Sequence, residues 1–274
     1  MPEPNVEGSG EIRQFLASIF ERYGHDLRGY AVNSVQRRVR AALGRSGLSS
    51  VAELERRSLA DPLFFAQVLP SLTVRVSEMF RDPTFFLTLR TRIVPLLRSY
   101  PRLNIWHAGC ATGEEAYSVA ILLAEEGLYD RCQIYATDVS AQALEQAKLG
   151  VYAADSLETF ASNYRAAGGR HDIRRYVTEA YGRISICEPL RRNVVFFQHD
   201  LVGDYVFGEM DAVFCRNVMI YFGRELQERV LGKLADSLRP HGFLCLGRSE
   251  QLGRRGRAQF TDFAPPDRIY RRAP

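Results

Sequence analysis

Leu103–Ser118 reads LNIWHAGCATGEEAYS, an apolar stretch that runs into a glycine-bracketed turn and then into two glutamates opening a helical pattern. A second apolar run, Gln133–Ser140 (QIYATDVS), follows it and ends in Asp138. Strand, glycine turn, helix and a strand closed by an acid make a βαβ unit that grips an adenosine-type group at the edge of a parallel sheet. Downstream, apolar segments at Asn104–Ala108, Gln133–Thr137, Asn193–Gln198, Asp211–Cys215 and Gly242–Leu246 alternate with helical patterns at Glu114–Glu126, Ala141–Lys148 and Arg224–Leu238. That rhythm predicts an α/β fold with a Rossmann-like, doubly wound sheet. It breaks between Gly150 and Asn193, a polar interval with short alternating stretches such as Arg183–Cys187. The interval reads as an insertion carrying a helix or two and a small antiparallel β-subdomain at about 165–192.

Upstream, the text from Glu11 to about Phe80 is helical. Ile12, Phe15, Leu16, Ile19 and Phe20, and again Val32, Val35, Val39 and Leu43, recur at the spacing of one helix face. Breaks at Gly24, Gly44–Ser50 and Asp61–Pro62 divide this region into four or five short helices. Phe80–Pro101 continues helical, with Pro83 at a helix start. The expected organisation is an all-helical domain over 11–82 and a catalytic α/β domain over 83–274.

Composition narrows the function classes. The five cysteines are scattered without a CxxC pair, which suits a reduced, cytoplasmic protein. The five histidines have no ligand spacing, so no metal is expected. No apolar run approaches the ~18 residues of a membrane span, so no membrane insertion is expected. Arginine outnumbers lysine in a chain of net charge +4, which suits carboxylate or phosphate partners.

Four constellations carry chemistry. Gly109 and Gly113 allow close backbone approach to a ligand. A helix N-terminus ordinarily attracts phosphate, yet Glu114 and Glu115 stand there, opposing a pyrophosphate and favouring a cation. S-adenosylmethionine, a sulfonium without phosphate, fits that charge. Asp138 is placed to accept ribose hydroxyls, with N-capping of the next helix as the alternative. In NVVFFQHDL at Asn193–Leu201, Asp200 stands where an adenine is commonly met, or is a solvated loop acid. In DAVFCRNVMIYF at Asp211–Phe222, an apolar strand delivers Arg216, Asn217 and Tyr221 at its carboxyl end, where ligands of open sheets sit. Asn217 and Val218 read as cofactor contacts, and Tyr221 and Arg216 as nearer the reacting groups. In LTVRVSEMFRDP at Leu72–Pro83, Arg75, Ser77, Glu78 and Arg81 crowd one stretch, either over the cofactor mouth or on a solvated helix face.

The chain resembles the chemotaxis-receptor glutamate O-methyltransferases. IWHAGCATGEEAYSVA at Ile105–Ala120 resembles that family's cofactor signature, FCRNVMIYF at Phe214–Phe222 its most distinctive run, and LTVRVSEMFRDPTFF at Leu72–Phe86 its active-site segment. Weaker similarity reaches LRPHGFLCLGRSEQL at Leu238–Leu252. The resemblance implies S-adenosylmethionine as methyl donor, S-adenosylhomocysteine as product, and receptor glutamates as acceptors. It implies that Ser77 and Arg81 are the active-site hydroxyl and arginine. Glu114 and Asp138 hold the cofactor's methionine and ribose parts, and Asp200, Leu201, Asn217 and Val218 supply its remaining contacts. Arg75 stands where many members have asparagine, Ser77 where they have threonine, and Asp200 where asparagine is frequent. Catalytic roles are expected for Arg81, Ser77, Tyr221 and Arg216, and cofactor contacts also for Arg75, Ser77, Arg81 and Gly109. Arg37, Arg38, Arg40 and Arg45 form a basic cluster suited to an acidic helical bundle of a receptor, with a solvated face as the alternative. The hairpin region TEAYGRIS lacks a glycine-rich extension, which points to independence from a receptor tail peptide. A monomer is expected.

Other classes fit less well. A nicotinamide-dependent oxidoreductase calls for G-x-G-x-x-G, but position 111 is Ala. A non-catalytic adaptor leaves Arg81, Tyr221 and Asp138 without a task. A nucleic-acid methyltransferase calls for a basic, aromatic-lined channel, and the sequence offers none.

Overall fold

The structure is a computed structural model describing residues 9–72, 77–206 and 208–274. It opens with four helices: α1 (Ser9–Tyr23), α2 (Val32–Ser46), α3 (Val51–Ala60) and α4 (Pro62–Leu72). The Ser50 hydroxyl accepts the Glu53 N–H at 3.2 Å and so starts α3. Gly47 ends α2 in the left-handed region that a side chain disfavours. The apolar faces bury Phe15, Ile19, Val39, Leu54, Phe65 and Val68 in a core of their own.

Residues 77–82, expected as helix, form a loop instead. Phe80 and Asp82 take positive φ angles of 53° and 58°, and Pro83 disfavours helical backbone in the residue before it. Pro83 opens α5 (Pro83–Thr88), which widens into a π turn over Leu89–Ile93 and continues as α6 (Val94–Leu97). Pro95 has no N–H to offer the preceding turn, which accounts for the irregularity.

The α/β part comprises β1 (Leu103–Ala108), α7 (Glu114–Glu125), β2 (Cys132–Asp138), α8 (Ala141–Leu149), β3 (Val151–Ala153), α9 (Leu157–Ala166), β4 (Val177–Ala180), β5 (Arg183–Ile186), β6 (Val194–Gln198), β7 (Met210–Cys215), α10 (Arg224–Ser237), β8 (Leu238–Leu246), α11 (Arg254–Gln259), β9 (Phe260–Ala264) and β10 (Ile269–Arg272). Seven strands form one sheet in the order β6-β2-β1-β7-β8-β10-β9. From β6 to β8 the pairing is parallel, and β10 joins β8 and β9 antiparallel. Successive strand residues face opposite sides. Ile105, Ile134 and Phe214 therefore pack into the core that contains α7, while Trp106, Val213 and Leu244 pack into the core that contains α10. The strand order reverses between β1 and β7, and this switch point is where open α/β sheets bind ligands.

The doubly wound expectation holds, and the five expected strands lie within a residue of their ends except at β8. That strand starts at Leu238, ahead of Gly242, and pairs with Met210 before an irregularity in the ladder. The C-terminal pair β9–β10 and helix α11 were not expected. The small sheet has the order β3-β5-β4 and is antiparallel. Its first strand, Val151–Ala153, lies upstream of 165–192, because Tyr152 buries its ring among core residues and donates its hydroxyl to the Thr112 carbonyl at 2.9 Å. No helix among the described residues is long and apolar enough to cross a membrane.

Candidate active site

The carboxyl ends of β1, β2, β6 and β7, together with the segment 25–30 and α2 of the helical domain, enclose a cleft of about 1130 Å³ including its open mouth. Ser77, Arg81, Gly109, Asp138, Asp200, Leu201, Arg216, Asn217, Val218 and Tyr221 all line it. Glu114 does not; it is buried behind the wall, and Arg75 lies outside the described residues.

The glycine turn is locked from β2. The N–H groups of Gly109 and Cys110 both reach the Thr137 carbonyl at 2.8 Å. Ala111, at φ 48°, donates its N–H to Asp138 Oδ2 at 2.9 Å, and Gly113 donates to the Cys110 carbonyl. Four N–H groups of the turn, those of Gly109, Cys110, Ala111 and Gly113, are thus already engaged within the protein. A Cβ on Gly109 would stand 2.5 Å from Val218 Cγ2, so only glycine permits this closeness between the first and fourth loops. Asp138 Oδ1 also accepts the Ser140 N–H at 2.9 Å, and Ser140 caps α8 through Ala143. Asp138 thus fastens two loops while it lines the cleft.

The two glutamates after the turn differ in kind. Glu114 accepts the Thr112 hydroxyl at 2.8 and 2.7 Å and a hydrogen bond from Ser77, while burial raises its carboxyl above the ordinary value. Burial would do the same to Glu115, but Arg216 and His107 outweigh it and hold that carboxyl low. Arg216 donates to Glu115 at 2.7 Å and to Asp82 at 2.8 Å, lies over the Phe85 ring at 3.9 Å, and has a side chain only 1% exposed. The expectation that Glu115 presents free negative charge at the turn is therefore corrected, because its charge is internally paired. The catalytic expectation for Arg216 changes likewise: this guanidinium ties the Arg81–Asp82 loop to α7. Negative character nonetheless persists: besides Asp26, which Arg28 pairs from outside the cleft, four carboxylates (Glu78, Glu115, Asp138 and Asp200) face three guanidiniums (Arg38, Arg81 and Arg216) around it.

Arg81 and Glu78 flank Met79 and Phe80, whose side chains are fully buried. The Phe80 N–H donates to the Ser118 hydroxyl at 2.9 Å. These anchors turn the segment so that its polar residues meet the cleft, and the solvated-helix alternative is set aside.

Arg38 departs from its expected place in an exposed basic cluster. Its side chain points inward, 5% exposed, with Cζ 4.2 Å from the Tyr221 ring centroid and one nitrogen donating to the Leu72 carbonyl at 2.8 Å. Its Nε and Nη2 have no hydrogen-bond partner among the described residues. Arg37, Arg40 and Arg45 are exposed. Sequence reasoning also missed the helical domain's share of the wall (His25, Asp26, Leu27 and Tyr30), a contact that exists only after the domains meet. That meeting is fastened by backbone: Ala31 N–H to the Tyr221 carbonyl at 2.9 Å, Gly223 N–H to the Gly29 carbonyl at 2.7 Å, and a bridge between Tyr30 and Phe222. A further missed residue is Glu250, buried beneath the Asn217 loop; an acid four residues past an apolar strand was its one signal.

The site fits S-adenosylmethionine. It offers carboxylates that suit a sulfonium, an acid at the end of β2, and apolar contacts from Leu201, Val202 and Val218. Comparison with known proteins agrees. The CheR methyltransferase SAM-binding domain model matches residues 75–265, and the CheR all-alpha domain model matches 10–73. A Pseudomonas putida protein named as a candidate methyltransferase, Cher3, is 46% identical over 96% of this chain and 97% of its own length. A chemotaxis protein methyltransferase of Vibrio parahaemolyticus is 33% identical over 88% of this chain and 89% of its own; one from Listeria innocua is 30% identical over 84% and 85%. Among solved structures, a SAM-dependent methyltransferase from Geobacter sulfurreducens in complex with S-adenosyl-L-homocysteine gives a TM-score of 0.34 at 16% identity, covering 64% of this chain and 51% of that one; so loose a likeness carries no argument. The chain belongs to the CheR methyltransferase family, an enzyme family whose cofactor is S-adenosylmethionine.

Proposed function

We propose that this methyltransferase forms methyl esters on glutamate side chains of methyl-accepting chemotaxis receptors. The observation that carries the reading is Arg38: a buried guanidinium with two nitrogens lacking partners among the described residues, on the wall of the same cleft as Arg81 and Tyr221. A buried donor left unpaired costs about 1–3 kcal/mol, more when charged, and an incoming carboxylate removes that cost. Nucleic acids and amines offer no such group at the reacting atom.

The bound cofactor supplies an electrophilic methyl group on a sulfonium. A glutamate with a reference pKa of about 4.3 is ionised at neutral pH, so the protein has no proton to remove. Its task is to hold and to dry. Arg81 and Arg38 orient the acceptor carboxylate, and Tyr221 steadies the Arg38 guanidinium through its ring face. Gly109, Asp138, Asp200, Leu201, Asn217 and Val218 hold the cofactor, Ser77 meets its methionine end from the cleft wall, and Glu114 supports that end from behind. Such positioning supplies roughly 7–11 kcal/mol of a bimolecular barrier.

Arg37 and Arg40, one turn apart on the exposed face of α2, suit an acidic receptor bundle. The β4–β5 hairpin turns on Tyr181 and Gly182 alone, both with positive φ, and so short a hairpin supports independence from a receptor tail. Incubation with labelled S-adenosylmethionine and receptor cytoplasmic fragments tests the whole reading. Base-labile label on glutamate is expected, at equal rates with and without the receptor tail. Label on lysine or on RNA would overturn it.

A further inference from the structure

We infer that Glu250 is a positioning residue for methyl transfer: its carboxylate holds the Asn217–Ile220 loop against the glycine turn and so shapes the cofactor site. Oε1 accepts the N–H groups of Val218 at 2.9 Å, Met219 at 2.6 Å and Ile220 at 3.3 Å. Oε2 accepts those of Asn217 at 2.9 Å and Gly247 at 2.6 Å. Four consecutive N–H groups converging on one point form an anion cradle, and here the anion is the chain's own side chain. The side chain is buried, the residue being 4% exposed, and it is not among the residues that line the cleft.

The geometry admits few substitutes. Asn217 sits at φ 62°, in the left-handed region that asparagine enters more readily than most residues. A Cβ on Gly247 would stand 2.7 Å from both the Asn217 nitrogen and Glu250 Oε2, so the clamp closes only over glycine. On the far side, the loop carries Asn217, Val218 and Tyr221 into the cleft, with Val218 against Gly109. Glutamine offers one acceptor oxygen and turns an NH₂ toward N–H groups, leaving buried donors unpaired. Loosening the clamp therefore moves the cofactor's neighbours without removing any of them.

The inference rests on the assignment of this cleft to the cofactor, and the test separates the two. In the full chain, E250Q is expected to raise the S-adenosylhomocysteine dissociation constant at least tenfold by calorimetry, at a temperature where far-UV circular dichroism is native. E250D, which keeps the charge but shortens the reach, recovers part of the affinity. G247A forces the loop outward from the other side and is expected to weaken binding similarly, and it decides the matter if E250Q fails to fold. A lowered melting midpoint with a dissociation constant within twofold of the wild type, in E250Q or in its substitute, would overturn the inference. Asp138→Ala runs in parallel: if it too leaves affinity unchanged, the assignment of the cleft falls as well. Weakened binding in Asp138→Ala alone sinks only the clamp.

Discussion

Arg216 and Arg81 have very different tasks, and substituting each separates them. Arg216→Met keeps a long apolar side chain over Phe85 and removes the charge between Glu115 and Asp82. Removing one partner of a buried ion pair costs about 3–5 kcal/mol, because the remaining charge is stranded. For a chain of this size each kcal/mol lowers the midpoint by a few degrees, so the melting temperature should fall by on the order of 10 °C. Scanning calorimetry or circular dichroism at neutral pH reads this directly. Adding Glu115→Gln should recover part of the loss, since deleting both partners costs less than orphaning one. The pH dependence follows in sign. The Glu115 carboxyl is held low in the folded protein despite its burial, so its contribution is complete above the ordinary carboxylate pKa of about 4.3 and vanishes as pH falls through the depressed folded value. The gap between wild type and Arg216→Met should therefore narrow in acid. A variant that melts at the wild-type temperature at neutral pH would refute the reasoning and return Arg216 to the reacting groups.

Arg81→Ala should leave the melting temperature near that of the wild type while slowing methyl transfer roughly 100-fold, the scale of a lost orienting contact; full activity in a receptor-fragment assay removes Arg81 from the site. Asp138→Ala should weaken cofactor binding by about 10- to 100-fold, given 1.5–3 kcal/mol for a charged hydrogen bond, and an unchanged dissociation constant by calorimetry contradicts the ribose role. Reversing charge at Arg37 and Arg40 should slow receptor methylation and flatten its salt dependence without touching cofactor affinity; equal methylation rates at low salt would discard the docking face.

The sheet was legible because its signal is local. Strands buried on both faces read as apolar runs, and Gly109, Gly113 and Asp138 mark the turn and the strand end whatever the rest of the chain does. The C-terminal pair β9–β10 was not legible, since FTDFA and IYRR alternate too briefly to announce strands before β8 supplies a partner. The cleft was legible for residues that ride on strand ends. It was not for Arg38, which shares a helix and a residue type with the exposed Arg37 and Arg40 and differs only in the face it occupies. Charge by itself placed Glu114 and Glu115 together, whereas partners separate them: a hydroxyl for one, a guanidinium for the other. Pairing of that kind depends on Arg216, roughly a hundred positions away, and no local pattern carries it.

One device recurs at the sheet's carboxyl edge and suits the proposed ester formation, which removes no proton from its acceptor. After β1 and β2, Asp138 gathers N–H groups from Ala111 and Ser140. After β6, Lys233 reaches across from α10 to the carbonyls of Val202 and Asp204, each at 2.7 Å. After β7, Glu250 gathers the N–H groups of its loop from the end of β8. In each case a charge brought from a neighbouring segment binds backbone that has no ladder partner, which fixes loop positions more firmly than packing of small polar residues can. A displacement that cancels opposite charges gains little from a proton acceptor and much from groups that need not reorganise as the charge disappears. Fixed loops meet that need, and the three clamps supply them.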